Sequence, residues 1–177
     1  MLNAFQFDIH GRYYGDIDFG EVAYGQSTKR VRQHTNPLRR ELQVPAPAPV
    51  WADVYTTPSL PLVLDIGCGY GRFLIALATQ WPDHNMLGLD IRQPLTERGN
   101  KWVSRVCPGK AYFQFANATV SLDSVLAGYP GELDLVTIQV GKKFSIRVQK
   151  VIVVLRHHGY HNCHHHHQVL LDAAPLC

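Results

Sequence analysis

The stretch LPLVLDIGCGYGRFLIALATQW, residues 60–81, decides the fold. Its first part is a short apolar run ending at Ile66, the pattern of a strand covered on both faces, with Asp65 closing it. Gly67, Gly69 and Gly71 follow at alternate positions. Beyond them Phe73, Leu77 and Trp81, with Leu74 and Ala78, recur at the spacing of one helix face. The segment reads strand, tight turn, helix. Glycines at such a turn let the backbone bend sharply and let a ligand lie against it without meeting a Cβ.

The same unit repeats downstream. NMLGLDI, residues 85–91, is a second strand leading to a helix that Pro94 opens at its first position, with Leu95, Trp102 and Val106 facing inward. KAYFQFA, residues 110–116, is a third strand. It leads through Asn117, Ala118 and Thr119 to a helix that buries Val120, Val125 and Leu126, with Thr119 or Ser121 as its N-cap. Leu133, Leu135, Val136 and Ile138 mark a fourth strand. Strands alternating with helices at this spacing pair in parallel through right-handed crossovers. The expected fold is therefore α/β: a doubly wound, mostly parallel, Rossmann-like sheet with its ligand site at the carboxyl ends of the strands.

Composition bounds what such a domain can be. The chain has 177 residues, 46% hydrophobic and 18% charged, enough for one domain with its own core. No apolar run approaches the ~18 residues of a membrane span, and Asp8, Asp16, Asp18 and Glu21 argue against a secretory or transit leader. The expectation is a soluble intracellular protein without membrane association, in the cytoplasm, nucleus or an organelle. Cys68, Cys107, Cys163 and Cys177 lack CxxC spacing, so they read as reduced thiols.

The flanks differ from the centre. Residues 1–50 read as an irregular arm that carries a basic segment, Lys29 to Arg40, and a proline spacer, VPAPAPV at 44–50. Residues 51–140 hold the strand and helix pattern, and residues 141–177 form a divergent basic and His-rich tail. Within that tail KVIVVL, residues 150–155, has the look of one further strand, whereas HHGYHNCHHHH is low-complexity and irregularly spaced. No metal site is assigned to it.

The glycine turn narrows the ligand. Asp90 closes the second strand at about the ~20-residue distance at which a nucleotide fold places the acid that accepts ribose hydroxyls. The glycines are spaced GxGxG, not the GxGxxG that seats a pyrophosphate at a helix N-terminus. S-adenosylmethionine, an adenosine without phosphate, fits that pattern better than a nicotinamide dinucleotide. Asp65, Gly67, Gly69, Gly71 and Asp90 are the candidate cofactor-binding residues.

RVRQHTNPL, VWADVY, LVLDIGCGYGRFLIALA, PDHNMLGLDIR and FANAT, in that order over residues 30–140, resemble the tRNA (guanine-N7)-methyltransferases. The resemblance implies a class I methyltransferase fold, methyl transfer from S-adenosylmethionine to N7 of a guanine in the tRNA variable loop, and, as partners, tRNA and a candidate non-catalytic subunit. It implies that Gly67, Asp90, Ile91, Arg92, Asn117 and Ala118 hold the cofactor, with Asp at 90 where the family usually has Glu. In the basic segment Arg30, Arg32 and His34 are the candidates for tRNA phosphate contact.

Guanine N7 already presents a lone pair, so alignment of nucleophile, methyl and sulfur supplies most of the catalysis, and positioning can be worth about 7 to 11 kcal/mol. The product base is cationic, and a nearby carboxylate favours the transition state. In the family that acid comes from a Phe-Pro-Asp-Pro segment directly after the fourth strand. Here Val140 and Gly141 stand where that segment should begin, and no Asp or Glu occurs between Asp134 and Asp172. The catalytic acid is therefore unassigned, and this chain is expected to be weakly active or inactive, with a sheet incomplete at its C-terminal edge. An altered reading frame, a retained intron or an alternative isoform would each produce such a change.

Overall fold

The computed structural model describes residues 35–140 and 150–155. Five strands form one sheet in the order β3-β2-β1-β4-β5. They are β1 (Leu62–Ile66), β2 (Asn85–Asp90), β3 (Ala111–Phe115), β4 (Leu133–Val140) and β5 (Lys150–Leu155). A short helix α1 (Trp51–Val54) precedes β1, and α2 (Arg72–Gln80), α3 (Gln93–Val106) and α4 (Ala118–Leu126) connect the first four strands. Those four are parallel, with Leu62 opposite Asn85 at one end of β1 and Ile66 opposite Leu89 and Ile138 at the other. The chain steps from β1 out to β3 and then returns to place β4 on the other side of β1. That reversal is where open α/β sheets hold their ligands.

Period-two alternation splits the core between the sheet's two faces. Val63 and Met86 join Leu74, Leu77, Trp102 and Phe113 beneath α2 and α3. Leu62, Leu64, Leu87 and Leu89 join Trp51, Tyr55 and Val125 beneath α1 and α4. Both faces are covered, which is why these strands are continuous apolar runs. At the edge strand β3, the Asn100 amide donates to Phe113 O at 2.7 Å and accepts from Phe113 N at 2.8 Å, standing in for a neighbouring strand.

Details depart from the sequence reading. Pro94 occupies the second position of α3, not the first. The N-cap of α4 is Asn117, whose side chain accepts from Thr119 N, rather than Thr119 or Ser121. Val120 is half-buried, and Ser121 and Val125 are the buried residues of that helix. The proline stretch is docked on the domain: Ser124 Oγ donates to Ala46 O at 2.6 Å, Ala46 N to Ser121 Oγ at 3.1 Å, and Gln114 Nε2 to Pro47 O at 2.8 Å.

The strand read in KVIVVL exists as β5, antiparallel to β4, with Val140 opposite Lys150 and Leu135 opposite Leu155. Fewer than a dozen residues separate the two strands, less than a parallel crossover requires, so the chain returns antiparallel.

Candidate functional site

The turn after β1 is built on the end of β2. Gly67 N and Cys68 N both donate to Leu89 O, at 2.8 and 3.1 Å, and Gly69 N donates to Asp90 Oδ2 at 2.9 Å. These bonds hold the backbone in a tight left-handed path, with φ of 81°, 59° and 74° at Gly67, Gly69 and Gly71. A side chain at any of the three would sit in a conformation that L-residues adopt only at a cost. Space in front of Gly67 is open, a Cβ there meeting nothing within 4 Å, whereas one at Gly71 would land on the buried Phe113 ring.

A cleft of about 390 Å³ opens beside this turn at the carboxyl ends of β1, β2 and β3. Gly67, Asp90, Ile91, Arg92, Asn117 and Ala118 all line it. The other candidates lie close behind. Asp65 is buried beneath the turn, where it accepts from Thr137 Oγ1 of β4 at 2.8 Å. Gly69 contributes its N–H to Asp90, and Gly71 is the N-cap of α2. Arg30, Arg32 and His34 lie outside the described residues, as do the His-rich run and the segment that follows Val140.

Asp90 is nearly enclosed, at 3% exposure. Its Oδ1 accepts from Arg92 N and Arg92 Nε, each at 2.9 Å, and its Oδ2 accepts from Gly69 N at 2.9 Å and Arg92 Nη2 at 2.7 Å. A carboxylate has about four lone-pair directions, and all are engaged. The guanidinium grips the acid through two parallel bonds, the geometry a vicinal diol would use, so any hydroxyl donor to this carboxylate would have to displace Arg92. Those bonds to Asp90 hold the Arg92 guanidinium above its ordinary pKa.

Burial acts on the neighbouring groups. It raises the Asp65 carboxyl from 3.8 to about 6, with the Thr137 hydrogen bond opposing and the Asp90 charge adding to the rise. It also holds the Cys68 thiol well above its ordinary value, with Asp65 and Asp90 acting in the same direction, so this thiol stays protonated and unreactive.

Sequence reasoning missed the far wall of the cleft, to which Thr35, Pro37 and Thr119 contribute. It also missed what Asn117 does with its side chain. Nδ2 donates to Pro37 O at 3.1 Å and to Leu42 O at 3.0 Å, while Oδ1 accepts from Thr119 N at 3.2 Å. The Asp-Ile-Arg spacing was a usable signal for the carboxylate's partner, since two residues on, an arginine is long enough to fold back. Nothing local announces the partners of Asn117, which lie 80 and 75 residues upstream.

A doubly wound sheet, a left-handed glycine turn after its first strand and a buried acid closing its second define a Rossmann-like domain of the class I methyltransferase type. A family model described as "Putative methyltransferase" matches residues 59–139. The tRNA (guanine-N(7)-)-methyltransferase of Synechococcus sp. (strain JA-3-3Ab) is 50% identical over 111 residues, covering 63% of this chain and 46% of that protein. Its counterpart in Synechococcus elongatus (strain ATCC 33912 / PCC 7942 / FACHB-805) is 45% identical over 127 residues, 71% of this chain and 60% of the relative. Over this matched domain the chain is similar to the tRNA (guanine-N7)-methyltransferases. It spans about half the length of the curated relatives it matches. The solved structure of PKMT2 from Rickettsia typhi in complex with AdoHcy superposes at a TM-score of 0.29 and 28% identity over 37% of this chain and 13% of that one, too partial a likeness to bear on the chemistry.

Proposed function

We propose that this domain binds S-adenosylmethionine and serves methyl transfer to N7 of a guanine in tRNA, the variable-loop guanine being the expected target. The observation that carries this reading is the meeting of Gly67, Asp90, Ile91, Arg92, Asn117 and Ala118 around one nucleoside-sized cleft. The donor set fits the group. The open space before Gly67 accepts a flat or extended ligand close to backbone, and the Asp90 carboxylate suits a ribose diol once Arg92 yields it. Bound, S-adenosylmethionine would supply an electrophilic methyl on sulfur. The chain's part is to orient the adenosine and exclude water. Asp65, buried behind the turn and bonded to Thr137, keeps β1 and β4 in register beneath the cofactor.

A second reading is favoured by the end of β4. Where the family's acid-bearing segment would leave the sheet, this strand runs on to Val140 and pairs with Lys150 of β5. With no Asp or Glu between Asp134 and Asp172, this supports a cofactor- or RNA-binding module without turnover, one that competes for tRNA or for a partner subunit.

Isothermal titration with S-adenosylmethionine, run beside a tRNA methylation assay, separates the two readings. The enzyme and a cofactor-binding module both expect saturable binding that falls at least about tenfold in Asp90→Ala, because charge-assisted contacts to a buried carboxylate are lost. Methyl incorporation that disappears in the same variant supports the enzyme; binding without incorporation supports the module. Absence of binding overturns the enzyme and leaves, of the second reading, only an RNA-binding module.

A further inference from the structure

The cofactor cleft and an exposed basic turn share one side chain. Residues 37–42 leave the cleft wall at Pro37, pass through the exposed Leu38, Arg39 and Arg40, and return to the core at Leu42. Asn117 closes that loop from inside by donating to the carbonyls at both of its ends, Pro37 O and Leu42 O. Gln43 Nε2 adds a third bond, also to Pro37 O, at 2.6 Å, and Leu38 N donates to Asn36 Oδ1 at 3.0 Å. Both ends of the turn are thus fixed to the residue that caps α4 and lines the cleft.

What the turn displays is unusual for a solvated face. Leu38 is 77% exposed, next to two arginines whose one ion pair among the described residues is long, Arg39 Nε to Glu41 at 3.8 Å, open to solvent and so of little energetic weight. An apolar side chain flanked by guanidinium groups suits a surface made of sugars and phosphates. Three residues of chain span no more than about 11 Å, so Arg39 and Arg40 cannot leave the rim while Pro37 is held.

We propose that Arg39 and Arg40 contact tRNA phosphates at the rim of the cofactor cleft, and that Asn117 is the positioning residue that fixes this contact relative to the cofactor. The inference rests on the tRNA reading above and assigns to that substrate a specific docking edge. In it, Asn117 serves the nucleic acid through its side-chain amide, whatever its main chain offers the cofactor. The cleft and the RNA surface then form one hydrogen-bonded unit.

Fluorescence anisotropy with labelled tRNA and the full chain, without cofactor, tests it over a range of salt concentrations. Arg39→Ala/Arg40→Ala should weaken binding about tenfold and reduce the salt slope by about two, one for each lost phosphate contact. Asn117→Asp keeps the Oδ1 that caps α4 but sets a carboxylate against two carbonyls. It should weaken tRNA binding to a similar degree, and the combined variant should lose little more than either alone, because both remove the same contact. Gln43→Ala, at an exposed site that the fold tolerates, should weaken binding about threefold. Full additivity, or tRNA affinity unchanged in Arg39→Ala/Arg40→Ala, overturns this inference and leaves the tRNA reading intact. A wild-type chain that binds no tRNA overturns both.

Discussion

The two sides of the sheet end differently. On the β1-β2-β3 side every strand stops at a loop, and the loops open a cleft whose polar groups are held by backbone and by one another. On the β4-β5 side the strand end is covered by a ladder, Val140 opposite Lys150. The first arrangement leaves donors and acceptors available for exchange with a ligand, and the second consumes its backbone groups in the sheet. Binding and chemistry in such a fold are therefore separable. One half can keep the geometry for a nucleoside while the other lacks the group that would act on a substrate.

The sharpest way to break this comparison is at the glycine turn, where two glycines of the same motif have different reasons to be there. At Gly71 a Cβ would strike Phe113, which is 1% exposed and cannot move, in a left-handed backbone besides. Overpacking and backbone strain together should make Gly71→Ala cost about 4 kcal/mol, and a urea titration should show it as a shifted midpoint or as failure to fold. Gly67→Ala should cost only about 1 to 2 kcal/mol, from its φ of 81°, while S-adenosylhomocysteine affinity falls more than about tenfold, since the methyl intrudes on the cleft. If both variants lose stability alike, Gly67 is structural and the open space before it is not a ligand's.

The next effect comes from Asp65, which sits between the two sides. Its folded pKa, raised by burial to about 6 from 3.8, means that the folded state retains a proton that the unfolded state has already released. The stability this provides is complete below about pH 4 and is lost as pH rises through 6, a change on the order of 3 kcal/mol. Chemical denaturation at pH 4.5 and pH 7.5 should show about two thirds of that loss, over and above the contributions of other groups. Asp65→Asn, which keeps an acceptor for Thr137 Oγ1, should flatten the dependence and be the more stable protein at pH 7.5. An unchanged profile would mean that the carboxyl titrates as an ordinary surface acid.

What the sequence made legible was local. The β1 turn and α2 announce themselves because period, glycine spacing and terminal acid fall within one short window, and Asp90 follows from the distance to the next strand end. Of those residues Gly67 and Asp90 line the cleft, and Asp65, Gly69 and Gly71 lie behind it. What was not legible depends on distance. Asn, Thr and Ser all favour the N-cap, so preference alone could not choose Asn117, and its hold on Pro37 and Leu42 crosses most of the domain. The proline stretch reads as a spacer because its composition is that of one, yet Ser121, Ser124 and Gln114 hold its backbone to the domain. Arg92 was read as one of the groups that hold a ligand. That it also engages both oxygens of Asp90 is seen only in the three-dimensional structure.

The smallest expected effect tests the comparison from its other side. Among the described residues β4 and β5 contribute none to the lining of the cleft, so weakening their ladder should leave nucleoside binding alone. Ile152 pairs with Ile138 and Val153 with Thr137, and in an antiparallel ladder adjacent residues turn their N–H groups in opposite directions. A proline at one of these two positions must therefore remove a rung to β4, while the other meets the side of β5 that has no partner strand among the described residues. Of Ile152→Pro and Val153→Pro, one should cost about 1 to 2 kcal/mol in a thermal melt and the other less, with S-adenosylhomocysteine affinity within about twofold of wild type in both. Affinity that falls in step with stability would show the opposite: Thr137, which bonds both to the sheet and to Asp65, would be transmitting the state of the β4-β5 edge into the cleft, and the two sides would be one mechanical unit.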